Sequence, residues 1–290
     1  MAGRRRPTQR TGRRSPLVTT AFADVSAIPL AELLSLAGRQ AVVTGGAQGL
    51  GKAIGLRLAE AGANILIGDL NADRARAAAD DISRRFPVRS LGLSMDVTDS
   101  DSVRAAASAA AKELGEIDIW VNNAGIFPSA PVLETPDATW EQVFAVNTRG
   151  VFNGSREAAR HMSGANRGGV IINIVSTAGF GGTAPGLSAY VGSKHAVRGI
   201  TKQMALEFAP LGIRVLGVAP TFVPTEGNMA AAASHPPTEE SGQSMAVMTN
   251  SLIGRIGTPD DIARVVLFCA SDLSTIMTGS TLLADAGQTI

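Results

Sequence analysis

The chain has 290 residues, of which 45% are apolar, 18% charged and 4% aromatic, and its formal net charge is +1. That apolar content suffices for a packed core and excludes a wholly disordered chain, and no run of about 18 apolar residues predicts a transmembrane helix. A single cysteine, Cys269, excludes an internal disulfide and a cysteine-based metal site. The three histidines lack ligand spacing, so no metal is expected, and the cysteine usage fits a reducing, cytoplasmic location.

Most of the positive charge lies at the start of the chain. Residues 1–16 contain six arginines and no acidic residue, so the rest of the chain holds 20 basic and 25 acidic side chains. An acidic body argues against a nucleic-acid-binding domain, and we expect no membrane partner. We interpret residues 1–35 as a basic, disordered extension; a secretion signal and an Arg-rich transit peptide are the alternatives.

Short apolar runs of four to seven residues, typical of strands buried on both faces, recur after residue 40. The predicted strands are Ala41–Thr44, Ile65–Asp69, Leu91–Val97, Ile117–Asn122, Val170–Val175, Ile213–Ala219 and Thr281–Ala284. Alanine-rich segments with helical spacing lie between them: Gly51–Ala61, Asp73–Arg85, Ser100–Leu114, Thr139–Met162, Ser188–Ala209 and Pro259–Ala270. This alternation predicts one doubly wound, Rossmann-type α/β domain over residues 36–290, with a seven-stranded parallel sheet and helices on both faces.

The segment 221–256 interrupts the alternation. It is rich in proline and small residues, carries three methionines and follows the sixth predicted strand at the carboxyl edge of the sheet. A long insertion at that edge suits a cover over a ligand. We therefore predict a substrate lid here; an ordinary mobile surface loop is the alternative.

A glycine-rich turn follows the first predicted strand. Residues 44–51 read Thr-Gly-Gly-Ala-Gln-Gly-Leu-Gly and open the first predicted helix. Glycines permit a sharp turn and let backbone amides approach a pyrophosphate at a helix N-terminus. The spacing G-x-x-x-G-x-G differs from G-x-G-x-x-G, so the turn indicates a dinucleotide site only together with its strand–helix context.

An acidic residue, Asp69, ends the second predicted strand, 18 residues after Gly51. A carboxylate there accepts hydrogen bonds from an adenosine ribose and repels a 2′-phosphate. Gln48 and the Leu70-Asn71 pair offer no base for that phosphate. The sequence therefore predicts NAD rather than NADP; a strand-end cap is the alternative role for Asp69.

The segment Tyr190-Val191-Gly192-Ser193-Lys194 begins the predicted helix 188–209, and Tyr190 is the only tyrosine in the chain. Residues four apart share a helix face, so the phenol and the ammonium project side by side. A neighbouring positive charge favours the phenolate of a group whose ordinary pKa is near 10. The pair therefore predicts an acid–base catalyst near neutral pH.

These motifs stand in the order found in the short-chain dehydrogenase/reductase family, which residues 36–290 resemble. The matching positions are Thr44-Gly45, Gly49-Leu50-Gly51, Asp96-Val97, Asn122-Asn123-Ala124-Gly125, Asn147, Ser176, Tyr190, Lys194, Pro220 and Arg255–Pro259.

The resemblance implies a role for each position. Tyr190 exchanges a proton with the substrate oxygen, Lys194 lowers the pKa of Tyr190 and holds the nicotinamide ribose, and Ser176 orients the substrate oxygen. Asn147 holds a water that links Lys194 to solvent, and Thr225 binds the carboxamide. The implied cofactor-binding residues are Gly45, Gln48, Gly49, Leu50, Gly51, Asp69, Leu70, Asp96, Val97, Asn123, Ala124, Gly125, Tyr190, Lys194, Pro220, Val223 and Thr225.

The sequence departs from the family pattern at two points. Thr221 stands after the sixth-strand proline, where the family usually has glycine. Ser176 and Tyr190 are 14 residues apart, one more than the commonest family spacing. Both changes fall on the substrate side of the site.

The resulting hypothesis is an NAD-dependent oxidoreductase that interconverts a secondary alcohol and a ketone. Ser176, Tyr190, Phe127, Phe180 and Phe222 are the expected substrate-binding residues, and the three phenylalanines predict a partly apolar substrate. A 3-oxoacyl thioester reductase is one alternative, and an NAD-binding sensor or scaffold without turnover is another. The resemblance also implies a homotetramer, with an interface that includes Val143, Phe144, Val151 and Phe152.

Overall fold

The computed structural model describes residues 22–165, 167–233 and 251–290. The arginine-rich leader and the middle of the predicted lid lie outside the described residues. One short helix, α1 (Leu30–Leu34), falls inside the extension that we expected to be disordered, and it contacts the turn Asp272–Ser274. The extension therefore ends earlier than residue 35, because the fully buried Leu36 ties this stretch of chain to the core.

Seven parallel strands form one sheet in the order β3-β2-β1-β4-β5-β6-β7, which confirms the predicted fold class. Their bounds are β1 (Gln40–Thr44), β2 (Asn64–Asp69), β3 (Ser90–Ser94), β4 (Ile119–Asn122), β5 (Gly169–Ile174), β6 (Ile213–Pro220) and β7 (Thr281–Ala284). We predicted that the third strand ends at Val97, but it ends at Ser94. The side chain of Asp96 accepts hydrogen bonds from Thr98 N and Thr98 Oγ1 and so starts a turn before Val97. Strand order reverses between β1 and β4, and the carboxyl ends of these two strands open the crevice where such sheets bind ligands.

The helices cover both faces of the sheet. The longer ones are α2 (Gly49–Glu60), α3 (Ala72–Arg85), α4 (Ser100–Glu113), α5 (Asp137–Phe144), α6 (Gly150–Gly164), α7 (Ser188–Phe208), α8 (Glu226–Ala233) and α9 (Pro259–Ala270). Apolar side chains of α2, α3 and α9 pack on one face, and those of α4, α6 and α7 pack on the other. Cys269 is buried in the first of these two clusters. Among the described residues, no helix is long and apolar enough to cross a membrane.

The prediction of one helix over Thr139–Met162 is wrong in its middle. The chain forms α5, then a π-helical turn over Ala145–Arg149, then α6. Such single-turn widenings are frequent at functional sites, because they redirect one side chain without ending the helix. Here the redirected side chain is Asn147, which is fully buried.

Two of the side chains expected at a subunit interface lie elsewhere. Val143 and Val151 are buried inside the chain, because they face the core from α5 and α6. Phe152, on α6, keeps 45% of its surface exposed. Trp140, on α5, keeps 41%. The apolar surface of these helices is therefore aromatic rather than aliphatic.

Candidate active site

The glycine-rich turn lies in the crevice between β1 and β4, where its backbone is fixed by the segment after β4. Gly45 has a φ of +60°, and a Cβ added there would lie 2.8 Å from the Cα of Ala124. The Nδ2 of Asn123 donates to the carbonyl oxygens of Thr44 and Gly45, both at 2.9 Å. The sequence assigned Asn123 and Ala124 to the cofactor groove, and the structure gives them this second, bracing role.

The first turn of α2 offers backbone N–H groups to the crevice. Gln48 is the N-cap residue and makes no side-chain cap hydrogen bond, so the amides of Gly49, Leu50 and Gly51 have neither an intrahelical nor a side-chain acceptor. A Cβ at Gly51 would lie 2.2 Å from the Gly45 oxygen, which is why only glycine lets helix and turn approach so closely. This arrangement fits the pyrophosphate of a dinucleotide. Leu50 contributes its amide, since its side chain packs into the core.

Asp69 lies at the end of β2, next to the glycine-rich turn. Its carboxylate accepts from Ala47 N at 3.2 Å and from Asn71 N at 3.1 Å. A base that the sequence pattern did not reveal lies in this region: Arg74, on the first turn of α3, donates to Gln48 Oε1 at 3.2 Å. The expectation that Gln48 and Leu70-Asn71 offer no base for a 2′-phosphate holds for those residues but omitted Arg74, which reaches Gln48 because Asn71 caps the start of α3.

The remaining adenosine-side predictions differ in their surroundings. Leu70 is 71% exposed. Val97 is buried against α6, where a Cβ at Gly150 would lie 2.7 Å from Val97 Cγ2. Asp96 is partly exposed at the end of the third strand, with one carboxylate oxygen held by Thr98. Asp96 and Val97 thus follow the carboxyl end of β3, at the edge of the sheet on which the crevice opens.

Tyr190, Ser176 and Lys194 come together at the carboxyl end of β5. The Ser176 hydroxyl lies near the Tyr190 phenol, close enough to favour its charged form by hydrogen bonding. Lys194, one helical turn beyond Tyr190, is 5% exposed, and its Nζ lies 5.6 Å from the centre of the Tyr190 ring. The extra residue between Ser176 and Tyr190 therefore does not separate them, since the bend through Gly186, with its φ of +82°, accommodates it.

Burial controls the protonation of this pair. It raises the pKa of Tyr190, an effect that the hydrogen bond from Ser176 partly offsets. It also lowers the pKa of Lys194 to about 8. The expectation that Lys194 lowers the pKa of Tyr190 is not met in this structure, because the ammonium bonds to the Ile174 carbonyl at 2.8 Å instead of the phenol.

Asn147 links three parts of the site. Its Oδ1 accepts from Ile126 N at 2.8 Å, and its Nδ2 donates to Ile126 O at 2.9 Å and to Ser193 Oγ at 3.0 Å. A Cβ built at Gly125 lies 3.3 Å from Asn147 Oδ1 and 3.8 Å from Lys194 Nζ, so the amide and the ammonium line the same small space. Asn147 therefore holds the loop after β4 against the helix that carries Tyr190.

A buried polar network behind the site was only partly anticipated. Asn122, interpreted as a structural tether, accepts from Trp120 Nε1 at 2.8 Å and donates to Ser155 at 2.9 Å and to Asn173 at 2.8 Å. Asn173 in turn donates to Thr201 at 2.9 Å. The network ties β4, β5, α6 and α7 together. The signal that sequence reasoning overlooked is the asparagine within the apolar fifth strand.

The predicted substrate side chains surround the catalytic group to different degrees. Phe127 is 50% exposed and meets the Tyr190 ring edge to face, with 6.0 Å between ring centres. Phe180 is partly covered by the guanidinium of Arg198, which lies 3.9 Å from the ring centre. Phe222 is half-buried just after β6. Phe127 is therefore the phenylalanine placed directly against Tyr190.

The segment after β6 reaches back to the glycine-rich turn. Pro220 and Val223 are buried, and Thr225 begins α8 by accepting from Asn228 N at 3.3 Å. A Cβ at Gly49 would lie 3.2 Å from the Thr225 Cβ. The described start of the predicted lid thus borders the crevice, and Thr225 has a capping role that its implied role toward the carboxamide did not include.

Comparison with known proteins agrees with this geometry. Residues 45–289 match a family model described as Enoyl-(Acyl carrier protein) reductase. The chain is 37% identical over 255 residues to a 3beta-hydroxysteroid dehydrogenase 2 from Eggerthella lenta, covering 87% of this chain and 95% of that protein. It is 38% identical over 259 residues to a cis-4-hydroxycyclohexanecarboxylate dehydrogenase from Sinomonas cyclohexanicum, covering 88% and 98%.

The solved structures give the same result. A short-chain type dehydrogenase/reductase from Mycobacterium marinum superposes with a TM-score of 0.82 at 35% identity, covering 89% of this chain and 98% of that one. Sequence similarity thus covers 87% of the chain and structural similarity 89%. The chain belongs to the short-chain dehydrogenase/reductase family.

Proposed function

We propose that this protein is an NAD-dependent oxidoreductase that interconverts a secondary alcohol and a ketone, with Tyr190 as the acid–base. Family membership already makes it an oxidoreductase of the alcohol and ketone kind that uses a nicotinamide cofactor. The observation that carries the finer proposal is the hydroxyl pair of Ser176 and Tyr190, with the buried ammonium of Lys194 one turn away.

The hydroxyl pair suits a carbonyl or alcohol oxygen. Two neighbouring hydroxyl groups can both donate to an oxygen placed between them, which fixes its position and stabilises negative charge on it. When bound, the nicotinamide supplies or accepts the hydride at the substrate carbon. Tyr190 Oη gives its proton to the oxygen in ketone reduction and takes it back in alcohol oxidation, while Ser176 keeps its own.

Lys194 and Asn147 support the proton transfer. Lys194 has a pKa of about 8, so near neutral pH it holds a proton that is easily released. Asn147 Oδ1 faces the same space near Gly125 as Lys194 Nζ. We propose that a water in this space links the ammonium to solvent and so restores the proton of Tyr190.

We propose NAD as the cofactor. Gly49, Leu50 and Gly51 would bind its pyrophosphate through their amides, and Asp69 its adenosine ribose. Each oxygen of Asp69 already accepts one backbone N–H and keeps a second lone pair for a ribose hydroxyl. Arg74 opposes the charge of Asp69 and reduces the preference for NAD without reversing it, because Asp69 lies against the turn and Arg74 is exposed.

We propose a cyclic, partly apolar secondary alcohol as the substrate. Phe127 exposes half of its side-chain surface beside Tyr190. Apolar side chains of the described lid ends, such as Met229 and Leu252, are also exposed. The names of both curated relatives describe ring-bearing secondary alcohols. These observations favour a ring that packs against Phe127 while its oxygen reaches Tyr190.

A 3-oxoacyl thioester reductase is the second candidate, and a relative from Thermotoga maritima that is named a 3-oxoacyl-[acyl-carrier-protein] reductase and is 33% identical over 259 residues favours it. A sensor or scaffold that binds NAD without turnover is the third. Assays with NADH and a 3-oxoacyl thioester, beside a panel of cyclic ketones, separate the enzymatic candidates.

We also propose that the protein is a homotetramer that uses the aromatic surface of α5 and α6, and that its location is cytoplasmic.

The test of the proposed function is Tyr190→Phe. Phenylalanine keeps the ring and its contact with Phe127 but removes the transferable proton, so we expect turnover of any active alcohol to fall by at least about a hundredfold. NADH binding, followed by its fluorescence, should stay within about twofold of the wild type. Substantial turnover by the variant would remove Tyr190 from the acid–base role, and a wild type inactive with every substrate would favour the sensor.

A further inference from the structure

The last residues of the chain form a tight turn whose shape depends on Asp285. The carboxylate of Asp285 accepts from Gly287 N at 3.1 Å, from Thr289 N at 3.0 Å and from Thr289 Oγ1 at 2.6 Å. Although burial raises the pKa of Asp285, these hydrogen bonds outweigh it and lower the pKa below its ordinary value. Asp285 follows β7 directly and is 7% exposed, so the turn is fixed to the carboxyl edge of the sheet.

The backbone of this turn is strained at Ala286. Its φ is +56°, and it is the only residue other than glycine with a positive φ in the described part of the chain. A left-handed alanine is strained and persists only where its surroundings fix it. Here Ala286 O accepts from Leu252 N at 2.9 Å. A Cβ on the next residue, Gly287, would lie 2.8 Å from Leu252 Cδ1, so the turn fits closely against Leu252.

The same turn contacts the other end of the predicted lid. The hydroxyl of Thr221 donates to the side-chain oxygen of Gln288. Thr221 is the residue that stands where the family pattern has glycine, and a glycine there has no hydroxyl to make this bond. Five residues, Asp285–Thr289, therefore hold Thr221 at the start of the segment and Leu252 near its end.

Thr221 is close in sequence to the cofactor crevice. Val223 is 4% exposed, and its carbonyl accepts from Asn228 Nδ2 at 2.7 Å, which fixes the start of α8. Thr225 lies against the Gly49 position of the glycine-rich turn. A shift at Thr221 is therefore passed along a short, well-bonded stretch to the wall of the crevice.

We propose that the C-terminal turn Asp285–Thr289 positions the wall of the cofactor crevice, with Thr221 and Gln288 as positioning residues that act through Val223 and Thr225. This inference rests on the proposed function, because the position of that wall matters through the nicotinamide half of the cofactor. The adenosine half binds at the opposite side of the glycine-rich turn, beside Asp69, and does not depend on Gln288.

The test compares the binding of NADH with the binding of ADP, which reports on the adenosine half and pyrophosphate alone. The variants are Thr221→Val, which keeps the shape and removes the hydroxyl, Gln288→Ala, and both together. Gln203→Ala is the control, because its exposed side chain loses one hydrogen bond to Glu207 on α7. We expect each single variant to weaken NADH binding about three- to tenfold and to leave ADP binding within twofold.

The double variant should lose less than the sum of the two single variants, because the bond between Thr221 and Gln288 can be lost only once. Unchanged NADH binding in Thr221→Val and Gln288→Ala, an equal loss for ADP, or additive effects in the double variant would overturn the proposal. A wild type that binds neither nucleotide refutes the proposed function instead. In that case coupling of the two substitutions in thermal unfolding still tests the bond, and additive losses there would also overturn the proposal.

Discussion

Lys194 donates a 2.8 Å hydrogen bond to the carbonyl oxygen of Ile174, two residues before Ser176. The bond joins the helix that carries Tyr190 to the end of β5, directly before Ser176, so one buried cation helps to set the relative position of both hydroxyls. Among the described residues no carboxylate pairs with Lys194. The free-energy cost of burying its charge is offset mainly by the hydrogen bond to this carbonyl. The fold therefore buries the Lys194 ammonium at a cost in stability and keeps it beside Tyr190, where it can take part in proton transfer.

The first prediction concerns stability and pH. The pKa of Lys194 is lowered from 10.5 to about 8 in the folded protein, so between these pH values the unfolded chain binds more protons. Lys194 therefore lowers the free energy of unfolding most below pH 8. This penalty shrinks as the pH rises from 8 to 10.5. Relative to Lys194→Met, the wild type should gain on the order of 3 kcal/mol of unfolding free energy between pH 7.5 and 10.5.

Chemical denaturation at several pH values measures this difference. Lys202→Met, an exposed position on the same helix, is the matched control and should show no such trend with pH. A difference between wild type and Lys194→Met that stays constant with pH would contradict the prediction. In the same variant we expect kcat to fall by about a hundredfold or more, because both the cation and the anchor of α7 are lost.

The second prediction concerns Asn147. Asn147→Ala leaves the N–H and C=O of Ile126 without their side-chain partner and removes one of the two hydrogen bonds of the Ser193 hydroxyl, which should cost about 2–3 kcal/mol of stability. Activity should fall much further than in Ser193→Ala, which keeps both bonds of Asn147 to Ile126 and removes the bond from Asn147 and the bond that Ser193 Oγ donates to Tyr190 O. If Asn147 also holds the proposed water, the pH profile of kcat changes in Asn147→Ala and not in Ser193→Ala. Identical pH profiles in both variants would limit Asn147 to a structural role.

The sheet and most helices were predictable because each is specified locally. Apolar runs of strand length and alanine-rich segments alternate from residue 41 to residue 219, and caps such as Asn71 and Thr258 mark where helices begin. The catalytic group was predictable for a similar reason, since Tyr190 and Lys194 lie on one helix. Ser176 joined them only through the family resemblance.

Other features depend on contacts between distant segments. The π-helical turn around Asn147 forms because its amide bonds to Ile126, and no periodicity in the sequence marks that event. Arg74 and Gln48 are 26 residues apart and meet only once α3 is placed. The raised pKa of Tyr190 likewise follows from burial, whereas the spacing of Tyr190 and Lys194 suggested the opposite shift.

The third prediction concerns the approach of α6 to the sheet. A Cβ at Gly154 would lie 2.2 Å from Asn122 Oδ1 and 2.7 Å from Trp120 Nε1, in the middle of the buried polar network. Gly154→Ala should therefore destabilise the protein by about 1–3 kcal/mol despite the better helix propensity of alanine. Gly164→Ala, at the end of the same helix with open space around it, should be neutral or slightly stabilising. Thermal unfolding compares the two, and equal midpoints would contradict the role assigned to Gly154.

The last prediction concerns the choice of cofactor, which depends on the opposite charges of Asp69 and Arg74. Asp69→Asn removes the repulsion of a 2′-phosphate, so the ratio of the NADPH and NADH dissociation constants should fall about tenfold. Arg74→Ala removes the nearby guanidinium, and the ratio should rise about three- to fivefold while NADH affinity stays within twofold. These factors correspond to a charge-assisted hydrogen bond of roughly 1.5 kcal/mol at Asp69 and to a weaker, exposed interaction at Arg74.

Fluorescence titrations with NADH and NADPH measure both ratios, and Arg76→Ala is the control. Arg76 lies two residues further along α3 and pairs with the exposed Asp73, so its loss should leave the ratio unchanged. Raising the salt concentration should reduce the effect of Arg74 more than that of Asp69, because Arg74 is the more exposed of the two. Wild-type protein that binds both cofactors equally would refute the assignment of NAD. An unchanged ratio in Arg74→Ala would show that its contact with Gln48 does not reach the 2′ position.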